Sequence, residues 1–168
     1  GEAWVPNASG TLLEYGPSWS VPGARLEEFR KASEAYRYPK GLGLLGCAWQ
    51  EGKPVWLPEI SSDERCVRRA LAYRVGIRTA AAIPVLAGRD VIAVLVFFHV
   101  ESRQEDRRLV LLATAIAAQL GAVMHRKRAE DALHRSQELL REIMDSSEVV
   151  IYVTDTQGRF LHVNRRFE

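Results

Sequence analysis

The chain has 168 residues, 47% of them hydrophobic and 26% charged, the balance of a folded protein with a core to bury, which excludes a disordered or low-complexity chain. Its 23 Lys plus Arg against 21 Asp plus Glu leave a net charge of +2, so neither nucleic acid nor an anionic membrane is demanded as a partner. Two cysteines, Cys47 and Cys66, are too few for a disulfide framework, and with no signal-like segment at the start the expected setting is a reducing cytoplasm.

Taken in order, Trp4–Pro6 and Thr11–Tyr15 flank the turn-rich Asn7-Ala8-Ser9-Gly10 and predict a hairpin. Ala24–Tyr36 carries Leu26, Phe29, Ala32, Ser33 and Tyr36 at helical spacing, and Tyr38-Pro39-Lys40-Gly41 ends that helix. Gly41-Leu42-Gly43-Leu44-Leu45-Gly46 matches the dinucleotide pattern G-x-G-x-x-G, but it does not sit between a buried strand and a helix in a βαβ unit. It reads instead as a backbone turn needing positive φ or close packing. Pro54–Pro58 predicts a short strand, and Asp63–Val75 a helix capped by Ser61, Ser62 or Asp63 and closed by Gly76.

Thr79–Leu86 and Val91–Val100 are β-branched apolar runs joined by Ala87-Gly88-Arg89-Asp90, a hairpin whose second strand should be central and covered on both faces. Pro84 pushes its own strand toward an edge or a bulge. Ser102-Arg103-Gln104-Glu105 fits a capping box and opens a proline-free stretch, Arg103–Asp145, read as one long helix. Within it Leu109–Met124 is apolar nearly all round yet shorter than the roughly 20 residues that cross a bilayer, so it is expected to pack on the sheet and on a partner. Beyond it Ala129, Leu133, Ser136, Leu140 and Ile143 recur at spacings of four and three, a coiled-coil seam among balanced charges. Val149–Thr154 and Arg159–Asn164 around Asp155-Thr156-Gln157-Gly158 predict a last hairpin. Strand and turn of that length bury no core alone, so residues 146–168 read as the truncated start of another domain.

Candidate chemistry is sparse. The histidines His99, His125, His134 and His162 lack metal-ligand spacing, and His134 reads as a solvated helix residue. Cys47 and Cys66 are by default small buried hydrophobes, although Arg65 and Arg68 could stabilise a thiolate at Cys66. No G-x-S-x-G, H-E-x-x-H or P-loop lysine is present. Trp4, Trp19, Trp49 and Trp56 cluster in the first third, as core residues or as the wall of a site for a flat small molecule.

Three stretches together resemble a GAF domain of bacterial sensory kinases: Gly41–Trp49 with Gly52-Lys53-Pro54-Val55-Trp56, Gly76–Val85, and Val91–Phe98. Arg126–Leu133 looks like the linker helix that leaves such a domain, and Asp155–Asn164 is similar to the opening hairpin of a PAS domain. The amino-terminal helix that usually begins the family's fold is missing. The resemblance implies an α+β fold, a GAF-like central antiparallel sheet flanked by helices with a long C-terminal signalling helix and a terminal β-hairpin. It divides the chain into 1–124, a sensory domain; 125–145, a coiled-coil linker; and 146–168, the start of a PAS-like domain. It also implies a small-molecule pocket, with Trp49, Trp56, Cys66, Tyr73, Ile83 and Phe97 as candidate lining residues, although which face of the Ala93–Phe98 strand meets it is open. The cysteine-histidine pair that attaches bilins in photoreceptor relatives is not evident, nor the Asn-Lys-x-Phe-type signature of cyclic-nucleotide binders, nor the cysteines of methionine-sulfoxide-reducing relatives. The expected protein is a non-enzymatic sensory input module, with no cofactor identified, no membrane contact of its own, a homodimer through the long helix and an output domain downstream. A ligand-independent dimerisation relay is the alternative, and a redox enzyme acting through Cys66 a third.

Overall fold

The computed structural model describes residues 1–21 and 24–166. It divides into two compact units, Gly1–Met124 and His125–Glu168. In the first, β1 (Glu2–Pro6) and β2 (Leu12–Ser18) form the opening hairpin. The Asn7 side chain closes its turn by accepting the backbone N–H groups of Thr11 and Leu12 at 3.0 and 3.2 Å. Helix α1 covers Ala24–Ser33, three residues shorter than its apolar spacing, because Tyr38–Pro39 turns into a short strand, β3, beside β2.

The glycine-rich passage is a helix, α2 (Gly43–Glu51), an element its sequence does not announce. Its glycines serve shape: Gly41, Gly43 and Gly52 have positive φ, and a Cβ on Gly46 would stand 2.3 Å from the Pro39 carbonyl oxygen. No βαβ unit surrounds them. Strand β4 is Val55–Leu57, and the helix expected over Asp63–Val75 is only α3 (Arg69–Arg74). The preceding residues are turns in which Asp63 binds Arg65 instead of capping a helix.

β5 (Thr79–Ala87) and β6 (Asp90–His99) pair over their full length, and the sheet order is β3-β2-β1-β6-β5-β4, antiparallel throughout. β6 is central, as its apolar run requires. Beyond Ala82, β5 has β6 alone as its partner, and its register slips between Val85 and Leu86, so Pro84 lies where a missing N–H costs least. Alternation along β6 assigns the faces: Val94, Val96 and Phe98 join the core under α1, α2 and α3, with Trp4, Leu13, Phe29, Leu45 and Trp49. Ala93 and Leu95 join Ile83, Val85 and Ala117 in a second, smaller core on the other face.

That second core is covered by α4 (Arg107–Ser146), whose first half belongs to this unit. Its cap is Asp106, whose carboxylate accepts the N–H groups of Arg108 and Leu109 at 2.9 and 3.2 Å; Ser102 instead donates to the Pro58 carbonyl, so the capping-box reading is corrected by four residues. The expected packing of Leu109–Met124 on the sheet is confined to one stripe of the helix. Ala117 and Gly121 are fully packed, whereas Leu109, Leu111, Leu112, Ile116, Leu120 and Val123 are exposed. By length and composition α4 is apolar enough to cross a membrane, yet a Cβ on Gly121 would lie 1.9 Å from the Leu86 carbonyl oxygen, so the helix lies directly on the end of β5.

In the second unit, β7 (Tyr152–Thr154) and β8 (Phe160–Val163) form the predicted hairpin. Asp155 accepts the N–H groups of Gln157 and Arg159, and Gly158 takes positive φ in the turn. Asn164 is buried. Its Oδ1 accepts from Ile151 while its Nδ2 donates to the carbonyls of Met144 and Val149, all at 2.9 Å, which ties the hairpin to the last turn of α4.

Candidate functional site

The first core holds a buried ion pair that no local pattern reveals. β1 places Glu2 and Trp4 on one face, two residues apart, and the turn before α3 delivers Arg68 to them. The Arg68 guanidinium donates to both Glu2 carboxylate oxygens, at 3.0 and 2.7 Å, and both side chains are about 95% buried. Trp4 Nε1 donates to Glu2 at 3.0 Å, Arg68 also donates to the Ser33 hydroxyl, and Ser33 donates to the Phe29 carbonyl at 2.6 Å. Around the guanidinium stand the rings of Phe29, Trp4, Phe98 and Tyr36, with centroids 4.8 to 5.9 Å away. Glu2 hydrogen-bonds to Arg68 and holds its ionisation above the ordinary arginine range in spite of burial. Burial pushes the nearby Tyr38 hydroxyl up to about 12. Glu2, Arg68, Trp4 and Ser33 satisfy one another, whereas the buried Tyr15 hydroxyl beside Trp4 has no hydrogen-bond partner among the described residues. Beside Cys66 and Arg68 the free space is about 20 Å³, scarcely a water molecule.

Outside this network the Phe29–Phe98 edge-to-face pair, with centroids 5.3 Å apart, forms the inner wall of a cavity of about 660 Å³. Tyr15, Trp19, Leu26 and Ile77 extend its apolar lining, and Glu2, Arg30 and His99 bring polar atoms to it. This size and mixture suit a small organic molecule. The edge of Trp19 meets Phe97, so this exposed tryptophan is held rather than free.

The six residues predicted to line a pocket do not share one. Trp56, Ile83 and Phe97 meet in a crevice on the α4 face. Trp49 is core beneath Lys40, whose ammonium stands 5.0 Å from its ring. Cys66 borders the small internal space, and Tyr73 is exposed with the Arg78 guanidinium 4.1 Å above its ring. The pairing of Glu2 with Arg68 among aromatic rings was not anticipated; the sequence singles out Arg68 only as a neighbour of Cys66. Arg68 sits among Arg65, Arg69 and Arg74 and reads as surface, and the available clue was Glu2, an acid on the same strand face as a buried tryptophan. Among the described residues no three His, Cys, Asp or Glu side chains gather closely enough to hold a metal.

Burial raises the Cys66 thiol above its ordinary value, outweighing the opposing pull of Arg68, so the thiolate reading suggested by neighbouring arginines is corrected. In a Cys47→Ser background, alkylation of Cys66 by iodoacetamide is expected to be slow at pH 7 and to accelerate only as the pH climbs past the ordinary thiol range. A rate at pH 7 matching that of a small free thiol contradicts this assignment.

A curled antiparallel sheet with three short helices over one face and a long helix on the other is a GAF-like α+β architecture. The sequence model of the GAF domain matches residues 5–125, and the chain belongs to that family, whose members act as regulatory modules in signalling proteins. It is 26% identical over 156 residues to the methyl sulfide methyltransferase-associated sensor of Methanosarcina acetivorans, covering 91% of this chain but 15% of that protein. Its fold is similar to a domain of a two-component sensor histidine kinase protein from Sinorhizobium meliloti, with a TM-score of 0.58 at 15% identity, over 79% of this chain and 82% of that one. It is also similar to the free methionine-R-sulfoxide reductase of Neisseria meningitidis, with a TM-score of 0.57 at 19% identity, over 75% and 68% of the two chains. At such identities the likeness extends to fold alone.

Proposed function

We propose that the chain is the input module of a multidomain cytoplasmic signalling protein, in which a small molecule in the 660 Å³ cavity, or a change of dimer packing, biases the long helix and so an output domain downstream. The observation that carries this reading is α4 itself. It leaves the sheet with Leu109, Leu112, Ile116, Leu120 and Val123 exposed, and continues into Ala129, Leu133, Ser136, Leu140 and Ile143, also exposed. Apolar side chains presented in that number along one helix ask for a partner, and a second copy of α4 offers the same seam. Residues 146–168 then begin the next module, a PAS-like one, and the chain itself is not an enzyme. The named sensor among the relatives supports this setting.

The ligand-independent relay is favoured by a separate observation: the Glu2–Arg68 network occupies the interior under the short helices and leaves only about 20 Å³ free beside it. Native mass spectrometry on the purified chain separates the two readings. A dimer with added mass supports sensing, a dimer of bare mass supports the relay, and a bare monomer counts against both. In the same preparation Leu133→Asp and Leu140→Asp are each expected to lower the association constant at least tenfold by sedimentation; an unchanged constant removes the coiled-coil seam from the reading.

A further inference from the structure

On the opposite side of the sheet from the aromatic cavity lies a second space of about 170 Å³, between the outer face of β5 and β6 and the first turns of α4. Trp56, Ala81, Ile83, Phe97, Leu109 and Ala113 supply most of its walls. It exists because two of them are alanines: Ala81 sits opposite Phe97 in the β5–β6 ladder, and Ala113 faces that pair from the helix. Larger side chains at either position would fill it.

Most polar groups at its rim make bonds within the chain, and the half-exposed Arg103 guanidinium stands at its mouth. Trp56 Nε1 donates to the Arg103 carbonyl at 2.9 Å. Thr79 Oγ1 lies 2.9 and 2.8 Å from the Pro58 and Glu101 carbonyls and accepts the Arg103 N–H at 2.9 Å. His99 Nδ1 accepts the Glu101 N–H at 3.0 Å, and the Arg103 guanidinium pairs with the Glu101 carboxylate at 2.9 Å. The walls are nearly all apolar, so an apolar guest removes apolar surface from water, whereas a polar group seated deep in the crevice loses water without a partner on the walls. An enclosed apolar cavity of about 150 Å³ holds benzene, and this crevice, open to solvent beside Phe97 and Leu109, has comparable room.

We infer that this crevice is a second binding site, for a small uncharged apolar molecule of one or two rings, separate from the cavity on the other face. The two spaces have the Phe98–His99 stretch as a common wall. A guest here touches Leu109, Val110 and Ala113, and so bears directly on the start of α4, where it would favour the helix seated on the sheet.

The test is a titration of the whole chain, isotope-labelled at alanine, isoleucine and leucine methyls and at the tryptophan indole, with toluene and separately with benzoate. Toluene is expected to shift Ala81, Ile83, Leu109, Ala113 and the Trp56 indole to saturation, at least tenfold more tightly than benzoate. Ala113→Phe and Ala81→Leu, filling the space from helix and sheet, are each expected to weaken toluene at least tenfold while the Leu26, Ile77 and Trp19 signals on the other face stay in place. Shifts that do not saturate, that centre on Leu26, Ile77 and Trp19, or that persist in both filled variants overturn the site. Equal affinity for benzoate overturns its apolar chemistry without needing either variant to fold. Association state is read in the same samples: toluene shifts that appear only on dilution to monomer assign the crevice to a second copy of the chain instead.

Discussion

Arg68→Met is expected to destabilise the first unit by about 3–5 kcal/mol, read as a fall in the urea midpoint with an unchanged slope. The cause is what remains behind: Glu2, 3% exposed, keeps a carboxylate that has lost both guanidinium bonds and retains only the Trp4 indole, while Ser33 loses its donor. A methionine of similar length fills much of the space among Phe29, Trp4, Phe98 and Tyr36, which separates the lost charge pairing from lost packing. The double variant Glu2→Gln with Arg68→Met is expected to recover a large part of the loss, because an amide can still accept the Trp4 N–H without a buried charge. Equal destabilisation in the single and double variants would mean that Arg68 acts through its packing on the four rings and not through its charge.

Gly121→Ala is expected to cost about 1–3 kcal/mol, the range for overpacking a tight contact, although it raises helix propensity. The added methyl would meet the Leu86 backbone, and backbone at the end of a paired strand has no rotamer to move into. The helix must lift, and with it the Ala117 contact to Ile83 and Val85. Hydrogen exchange locates the effect: amides of residues 113–121 should lose protection, whereas those of α2, on the other face, should not. A variant as stable as the parent would mean that α4 is not seated on β5 as described. The paired control is Gly76→Ala, where a Cβ meets nothing within 4 Å and the strain comes from positive φ alone.

Local rules made much of the fold legible. Both hairpins of the first unit followed from turn residues between β-branched runs, since Asn7 and the Ala87–Asp90 link act on their immediate neighbours. The central place of β6 followed from its unbroken apolar run, and the long helix from the lack of proline and glycine breaks beyond Gly121. The failures share a cause. Helix α2 runs through Gly43 and Gly46, poor helix formers that are required, Gly43 by its positive φ and Gly46 because the carbonyl of Pro39, seven positions earlier, leaves no room for a Cβ. Ser102 satisfied the capping pattern, yet Pro58, 44 residues earlier, took its hydroxyl, and Asp106 capped the helix instead.

Composition, periodicity and the three GAF-like stretches were enough, by themselves, to determine the α+β class, most strands of the sheet, the long helix and the family. Each of these depends on residues close in sequence or on a pattern repeated along one element. The tertiary structure alone decided which face of β6 meets which helix, that the predicted pocket residues fall into separate places, and that Glu2 and Arg68, 66 positions apart, share a buried bidentate pair. A charge in isolation reads as surface. Whether it is buried depends on what the rest of the chain brings to it, and that is a property of the packed sheet and helices together.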